Sequence, residues 1–382
     1  MSRRARGVNA VAVAGALACA GPPPPQLEPV PVLLSSEIAT SLYLIGDAGK
    51  PHTGGEPVLE ALRRDLASRS SERVVVFLGD NAYPRGLPAP GQPGRLRAEI
   101  SLATQVETIT GTGSRGFFVP GNHDWAKHGV DGWKAIERQK AFIDSAGRGA
   151  ASLEPGGGCP GPAVMDIGPR LRLVLLDTQW WLHPGPKPRH PDSGCGTDAE
   201  SEIVDSLRTA LLGAAGRLVV VAHHHPLASG GVHGGYFGWR EHLFPLRSIK
   251  SSLWIPLPLL GSLYPTARLE GISRQDIGSR AYQRMIAAIR RAFGAAPPAL
   301  DAAGHEHNLQ VIKGGAARLN LVSGTGIYGH SGGAFSVPGS LFAKNASGFA
   351  RLDIPRSGRA RLAVLVVDGA GGSREVFSTW VE

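Results

Sequence analysis

Five short, mostly apolar runs in this chain end in a turn that carries Asp, Asn or His, usually beside a glycine. Leu42–Ile45 leads into Gly46-Asp47, Val74–Leu78 into Gly79-Asp80-Asn81, and Phe117–Val119 into Pro120-Gly121-Asn122-His123-Asp124. Leu218–Ala222 leads into His223-His224-His225-Pro226, and Ala299–Ala303 into Gly304-His305-Glu306-His307. Runs of aliphatic and β-branched residues without alternation read as strands buried on both faces. Leu171–Leu176, Leu319–Ser323, Gly348–Ile354 and Arg361–Val367 read as further strands. Helical spacing appears between the strands, at Glu56–Ser68, Leu96–Ile109, Trp133–Ser145, Ala199–Leu212 and Ala281–Phe293. Strands alternating with helices predict an α/β fold. Ligands of open α/β sheets sit beyond the carboxyl ends of the strands, so the polar residues of the five turns are expected to converge.

The length of 382 residues allows two or three domains, or one large one, at about 150 residues each. A hydrophobic fraction of 42% excludes global disorder. The 52 Gly and 30 Pro show no three-residue period, which excludes collagen and points to many loops. The net charge of +9 comes from scattered arginines rather than a basic block, so no nucleic-acid partner is expected and an anionic substrate fits.

Arg3, Arg4 and Arg6 followed by the apolar Val8–Ala20 read as an export signal over 1–20. It is either cut after Ala18-Cys19-Ala20 or processed as a lipoprotein at Cys19, which would anchor the chain in a membrane. The expected location is the periplasm, the cell envelope or the medium. Pro22–Pro25 opens a linker over 21–40. The catalytic domain is expected over 41–370, with an insertion at 244–280 whose prolines argue against a helix, and 371–382 as a tail. Cys159 and Cys195 lie in Gly/Pro-rich loops and would pair in an oxidising compartment; the alternative is two loop thiols.

Taken singly, Gly46-Asp47-Ala48-Gly49 reads better as an ordinary turn and several others read equally well as one, whereas Gly121-Asn122-His123-Asp124 is an odd choice for a mere turn; all five in one order do not read as coincidence. Carboxylates, an amide and imidazoles gathered without thiolates suit hard or borderline cations. An aspartate shared between two ions about 3.5–4 Å apart is how such a site activates water and clamps the oxygens of a phosphoryl group.

The order GD-x-G, GDN-x-Y, GNHD, H-x-P, GH-x-H resembles the calcineurin-like metallophosphoesterases. Within them it is most similar to the small, tartrate-resistant purple acid phosphatases, over Leu42 to Ser323. The resemblance implies a single catalytic domain with a four-layer α/β/β/α sandwich, and hydrolysis of small phosphate monoesters by attack of a metal-bound hydroxide. It implies that Asp47, Tyr83 and His307 bind one ion, Asp80 bridges, and Asn122, His224 and His305 bind the other. His224 is chosen because it stands two residues before Pro226, and His223 takes the place of the family's glycine. Most of the family has a histidine ligand where this chain has Gly49, and Tyr83 is available instead. A phenol of pKa about 10 ionises more readily beside a trivalent ion, so Fe(III) is expected there, with divalent Fe, Zn or Mn in the second place. His123 and His233 are the expected proton donors, Asp124 is expected to orient His123, and His233 reads equally as a surface residue of a GGVHGG loop. Asp177, His183, His190 and His225 are expected to be structural or solvated. Two rival readings keep the metal centre. One is a phosphodiesterase for nucleotides or lipid headgroups, its 244–280 insertion overhanging the cleft or touching a membrane. The other is a non-catalytic, metal-stabilised envelope protein.

Overall fold

The computed structural model describes residues 30–188, 193–248, 252–258 and 260–382. The expected export signal, Pro22–Pro25 and His190 lie outside the described residues. Two seven-stranded sheets form the centre. The first runs β14(Ser373–Val381)-β13(Ala360–Val367)-β12(Gly348–Pro355)-β1(Ile38–Ile45)-β2(Glu72–Phe77)-β3(Arg115–Phe118)-β4(Ala151–Leu153). The second runs β11(Ser340–Lys344)-β9(Leu309–Lys313)-β10(Leu319–Ser323)-β8(Leu300–Ala303)-β7(Leu218–Ala222)-β6(Leu171–Leu175)-β5(Ala163–Ile167). β1 to β4 are parallel neighbours, as are β6, β7, β8 and β10, so the expected turns emerge on carboxyl edges.

The continuous apolar runs are explained by which face each side chain takes. Leu42, Leu44, Val74 and Val76 point between the sheets, where they meet Val220, Ala222, Leu300 and Leu321. Their neighbours Tyr43, Ile45, Val75 and Phe77 point outward under α1(Pro57–Ala67), α2(Arg95–Thr110) and α3(Gly132–Gly147). Val174 and Val221 of the second sheet pack likewise under α4(Gln179–Leu182), α5(Glu200–Leu212) and α8(Arg280–Phe293). Period-2 alternation thus buries both faces, each large side chain contributing about 1.5–3 kcal/mol. The result is the four-layer α/β/β/α sandwich expected of a calcineurin-like metallophosphoesterase. Its helices start on local signals: Glu56 accepts from Val58 N before Pro57 at the first helical position, and Ser279 accepts from Tyr282 N.

Three expectations are corrected. Residues 371–382 are no tail, because Ser373–Val381 forms the edge strand β14, paired along β13. The described part of the 21–40 linker is tied down: Arg361 donates to Val30 O at 3.0 Å, and Ile38–Thr40 already belongs to β1. The 244–280 insertion contains a helix, α7(Leu263–Leu269), preceded by α6(Trp239–Leu243). Pro265 stands third in α7, where the missing N–H has no intrahelical partner to lose.

Candidate metal centre

Asp47, Asp80 and His305 each adopt a left-handed backbone, with φ of 59°, 55° and 67°. Such residues cost about 1–3 kcal/mol each and persist only where the surroundings over-determine them. Here the loops interlock. Asp47 N donates to Gly79 O at 2.9 Å, His305 N to Asp47 Oδ2 at 2.8 Å, and His123 N to Asp80 Oδ1 at 2.8 Å. The glycine before each site residue permits this closeness. A Cβ on Gly79 would lie 2.5 Å from His224 Nδ1, one on Gly121 2.3 Å from Asp80 Oδ1, and one on Gly304 2.7 Å from Asp47 Oδ2.

The hydrogen bonds assign the histidine tautomers. His224 Nδ1 donates to Leu78 O at 2.8 Å, which leaves Nε2 as a lone pair, and that lone pair faces Asn122 Oδ1 at 3.0 Å. His305 Nε2 donates to the Gln275 carbonyl at 3.0 Å, and its free Nδ1 faces the same Asn122 oxygen at 3.1 Å. Asp80 Oδ1 lies 3.6 Å from His224 Nε2. When both rings are neutral, four acceptors converge with no proton to share. Burial and the neighbouring imidazoles push the His305 ring well below its ordinary value, so it is neutral, as a ligand must be. Burial raises the Asp80 carboxyl, but the neighbouring His224 and His123 imidazoles and the His123 N–H outweigh it and hold it below the ordinary value.

The second half of the cluster is built on Asp47. Its Oδ1 accepts from Tyr83 OH at 3.0 Å and lies 3.4 Å from His307 Nε2, which is 3.3 Å from the same phenol. The ligand atoms of Asp47, Asp80 and His224 all lie within 4.8 Å of one another, which joins the halves. Burial, then the charges of Asp47 and Asp80, push the Tyr83 phenol well above its ordinary value. Only a strongly polarising cation would make it a phenolate ligand. The seven residues singled out in the sequence therefore form one continuous cluster of oxygen and imidazole donors, the set that hard and borderline cations select.

Asp47, Asp80 and His224 form a buried floor, whereas His307, His233 and His123 are 31%, 23% and 17% exposed and frame its opening. The His123 ring packs against Tyr83 at a tilt of 49°, with centroids 4.3 Å apart, and its Nδ1 donates to Pro84 O at 2.8 Å. His233 stacks on His305 with centroids 4.0 Å apart, so it belongs to the site and not to a free surface loop. Asp124 does not orient His123. Its carboxylate is fully buried and accepts from Gly121 N, Asn81 N, Asn81 Nδ2 and Ala82 N, which clamps the second turn to the third. The carboxyl is buried beneath the loops, whereas the His123 ring lies at the rim and bonds Pro84 O instead. Asp177 accepts from Trp125 Nε1 at 2.7 Å and His225 bonds Thr178 and Gln275. His183 packs on Trp125. All three are structural.

Sequence reasoning missed the supports. His223 Nε2 pairs with buried Asp301 Oδ1 at 2.8 Å, which accounts for the histidine in place of glycine. Glu306 Oε1 accepts from His233 N and Gly234 N at 3.0 and 3.2 Å. Arg268, Gln275 and Asp276, all from the 244–280 insertion, touch His233 or His305. A backbone carbonyl such as that of Gln275 has no sequence signature. Glu306, between two site histidines, was the one visible clue. His330, with its ring 4.3 Å from that of His307, carries no motif at all.

No family model matches the chain, and no curated protein matches it in sequence. Solved structures similar to it include GAP50, the anchor in the inner membrane complex of Plasmodium. That pair shares 14% identity over 90% of this chain and 88% of the other, with a TM-score of 0.54, a likeness of fold. The purple acid phosphatase PPD1 from yellow lupin (Lupinus luteus) is 14% identical over 89% of this chain and 53% of that one, with a TM-score of 0.46. A dimetal phosphatase from Danio rerio is 12% identical over 90% and 99%, also at 0.46.

Proposed function

We propose that this chain is an exported phosphomonoesterase with a dinuclear metal centre of the purple acid phosphatase type. The carrying observation is the convergence of His224 Nε2 and His305 Nδ1 on Asn122 Oδ1, beside the Asp80 carboxylate. Asp47, Tyr83 and His307 would hold one ion, Asn122, His224 and His305 the other, and Asp80 both. The bound pair supplies an activated water and neutralises phosphoryl oxygens. His123 and His233 stand at the rim, where they bind phosphoryl oxygens or hand a proton to the departing alcohol. Trivalent iron beside Tyr83 fits the buried phenol, with divalent Fe, Zn or Mn in the second place. The basic, apolar N-terminus supports export, and so does the Cys159–Cys195 disulfide (Cα–Cα 5.5 Å).

Metal analysis and a visible spectrum of the exported protein test this reading. We expect two ions per chain, an absorption band that Tyr83→Phe abolishes, and turnover of an aryl phosphate. A colourless protein with two zinc ions and full activity sinks the iron assignment. Failure to cleave any phosphoester after loading with iron and zinc leaves a non-catalytic envelope protein.

One observation favours a second reading. Trp239, Trp254, Ile255, Leu260, Leu263 and Ile272 are all exposed on the stretch that also carries Arg268, beside the opening. An aromatic and aliphatic surface there suits a phosphodiester presented at a membrane. Relative rates on a monoester and its methyl diester, with and without anionic vesicles, separate the two readings.

A further inference from the structure

The segment that reads as an insertion reaches into the rim of the site through one arginine. Arg268 of α7 is only 14% exposed, and its Nε donates to Asp276 Oδ1 at 2.6 Å. Its Nη2 lies 2.8 Å from His233 Nδ1, and its Nη1 donates to Tyr264 OH at 2.9 Å. A guanidinium has five donors and no acceptor. A proton on His233 Nδ1 would therefore face another proton at 2.8 Å. The competing acceptor for an Nδ1–H, Asp276 Oδ1, is farther away at 3.3 Å and is already taken by Arg268 Nε. Its Oδ2 is engaged by Ser273 N at 3.0 Å.

We infer that Arg268 is a positioning residue that makes His233 Nδ1 an acceptor and so places the proton of the neutral ring on Nε2, the edge without a hydrogen-bond partner among the described residues. The backbone of His233 is fixed as well, since its N–H donates to Glu306 Oε1 at 3.0 Å and its carbonyl accepts from Ile277 N at 2.8 Å. Ring and backbone are thus both held, and the ring is stacked on His305. This inference rests on the phosphoester reading for one consequence only: the Nε2–H is a hydrogen-bond donor to the charge developing on the leaving oxygen, and its proton stays on the ring. The insertion then completes the site. Nucleotide or alcohol specificity is a separate property, and Arg268 sets only how well the departing group is assisted.

Nitrogen NMR of the full-length protein with labelled histidine reads the tautomer directly, at a pH where the ring is neutral; His233→Gln assigns the signals. The expected spectrum shows His233 Nδ1 unprotonated and Nε2 protonated. In Arg268→Gln the Nδ1–H form should appear, bonded to Asp276. An Nδ1–H in the wild type overturns the inference, as does a spectrum that Arg268→Gln leaves unchanged. Glutamine is chosen because alanine would leave the buried Asp276 carboxylate bare; if the variant does not fold, the wild-type spectrum alone decides where the proton sits. Kinetically, Arg268→Gln should lower kcat for an alkyl phosphate by about 100-fold, the scale of losing one hydrogen-bond donor to developing negative charge. KM and metal content should hold, and an aryl phosphate should suffer less. Equal losses on both esters overturn the leaving-group role. If the wild type cleaves no phosphoester, the proposed function fails while the spectrum still decides the Arg268–His233 pairing.

Discussion

Nε2 of His224 and Oδ1 of Asn122 stand 3.0 Å apart, an acceptor facing an acceptor in the neutral ring. The ring proton is committed elsewhere, to the carbonyl of Leu78 at 2.8 Å. Such a contact is repulsive by itself and becomes attractive when a cation shares both lone pairs, so stability and cation binding should be linked at this pair.

The first prediction follows from that linkage. At free Zn²⁺ about 100 times its Kd, the wild type should gain about 2.7 kcal/mol in unfolding free energy. Asn122→Ala removes one donor and relieves the repulsion, so its metal-free form should be no less stable than the metal-free wild type. At the same Zn²⁺ concentration it should gain far less. Chemical denaturation with and without Zn²⁺, after chelation, measures both. An equal gain in the two proteins would remove Asn122 from the ligand set.

Gly121→Ala should damage the centre without touching any donor. The new methyl would lie 2.3 Å from both Asp80 N and Asp80 Oδ1, so the Asp80 turn must move. Overpacking of this kind costs about 1–3 kcal/mol. A lower melting temperature with reduced metal stoichiometry is expected. Intact stoichiometry would show that the turn yields elsewhere.

Asp177 makes stability depend on pH. Burial pushes its carboxyl up to about 7, against hydrogen bonds from Trp125 Nε1 and Trp180 N. The unfolded chain releases this proton near pH 3.9, whereas the folded chain keeps it. The group's contribution is therefore full below about pH 4 and is lost as pH rises through about 7. Asp177→Asn still accepts from Trp125 but cannot ionise. Between pH 5 and 7 its unfolding free energy should fall less than that of the wild type, by about 2–3 kcal/mol. Parallel urea melts at the two pH values give the comparison, and identical slopes would mean an ordinary carboxyl.

The Cys159–Cys195 bridge closes a loop of sequence separation 36. Chain-entropy reasoning assigns such a loop about 3–4 kcal/mol. Cys159→Ser with Cys195→Ser should lower the denaturation free energy by about that amount while leaving metal stoichiometry unchanged, because neither cysteine touches the donor cluster. Loss of metal in the double variant would tie the bridge to the site.

The candidate turns were readable because each follows the carboxyl end of an apolar strand, and the resemblance to a known family picked out the donors within them, Tyr83 above all. Asp47 stands two residues after β1 and His305 two after β8, so parallel pairing brings them to one edge almost automatically. Their glycines were visible too, although only the packing shows that Gly79 and Gly304 are there for close approach. The strand Ser373–Val381 escaped notice because it is an edge, with one face exposed and polar residues breaking its alternation.

What the order of residues determined alone was the layered α/β class and the turns of Asp, Asn and His at strand ends. The first follows from hydrophobic periodicity, and the assignment of seven donors within those turns came from their resemblance to a known family. What only the tertiary structure decided was direction and protonation. Adjacent positions of one turn send Asp124 beneath the loops and His123 to the rim. A carbonyl at Gln275 and a guanidinium at Arg268 choose which ring nitrogen of His305 and of His233 is free. Hydrogen bonds act over about 3 Å, so partners brought together across long stretches of chain set tautomers that no local pattern encodes.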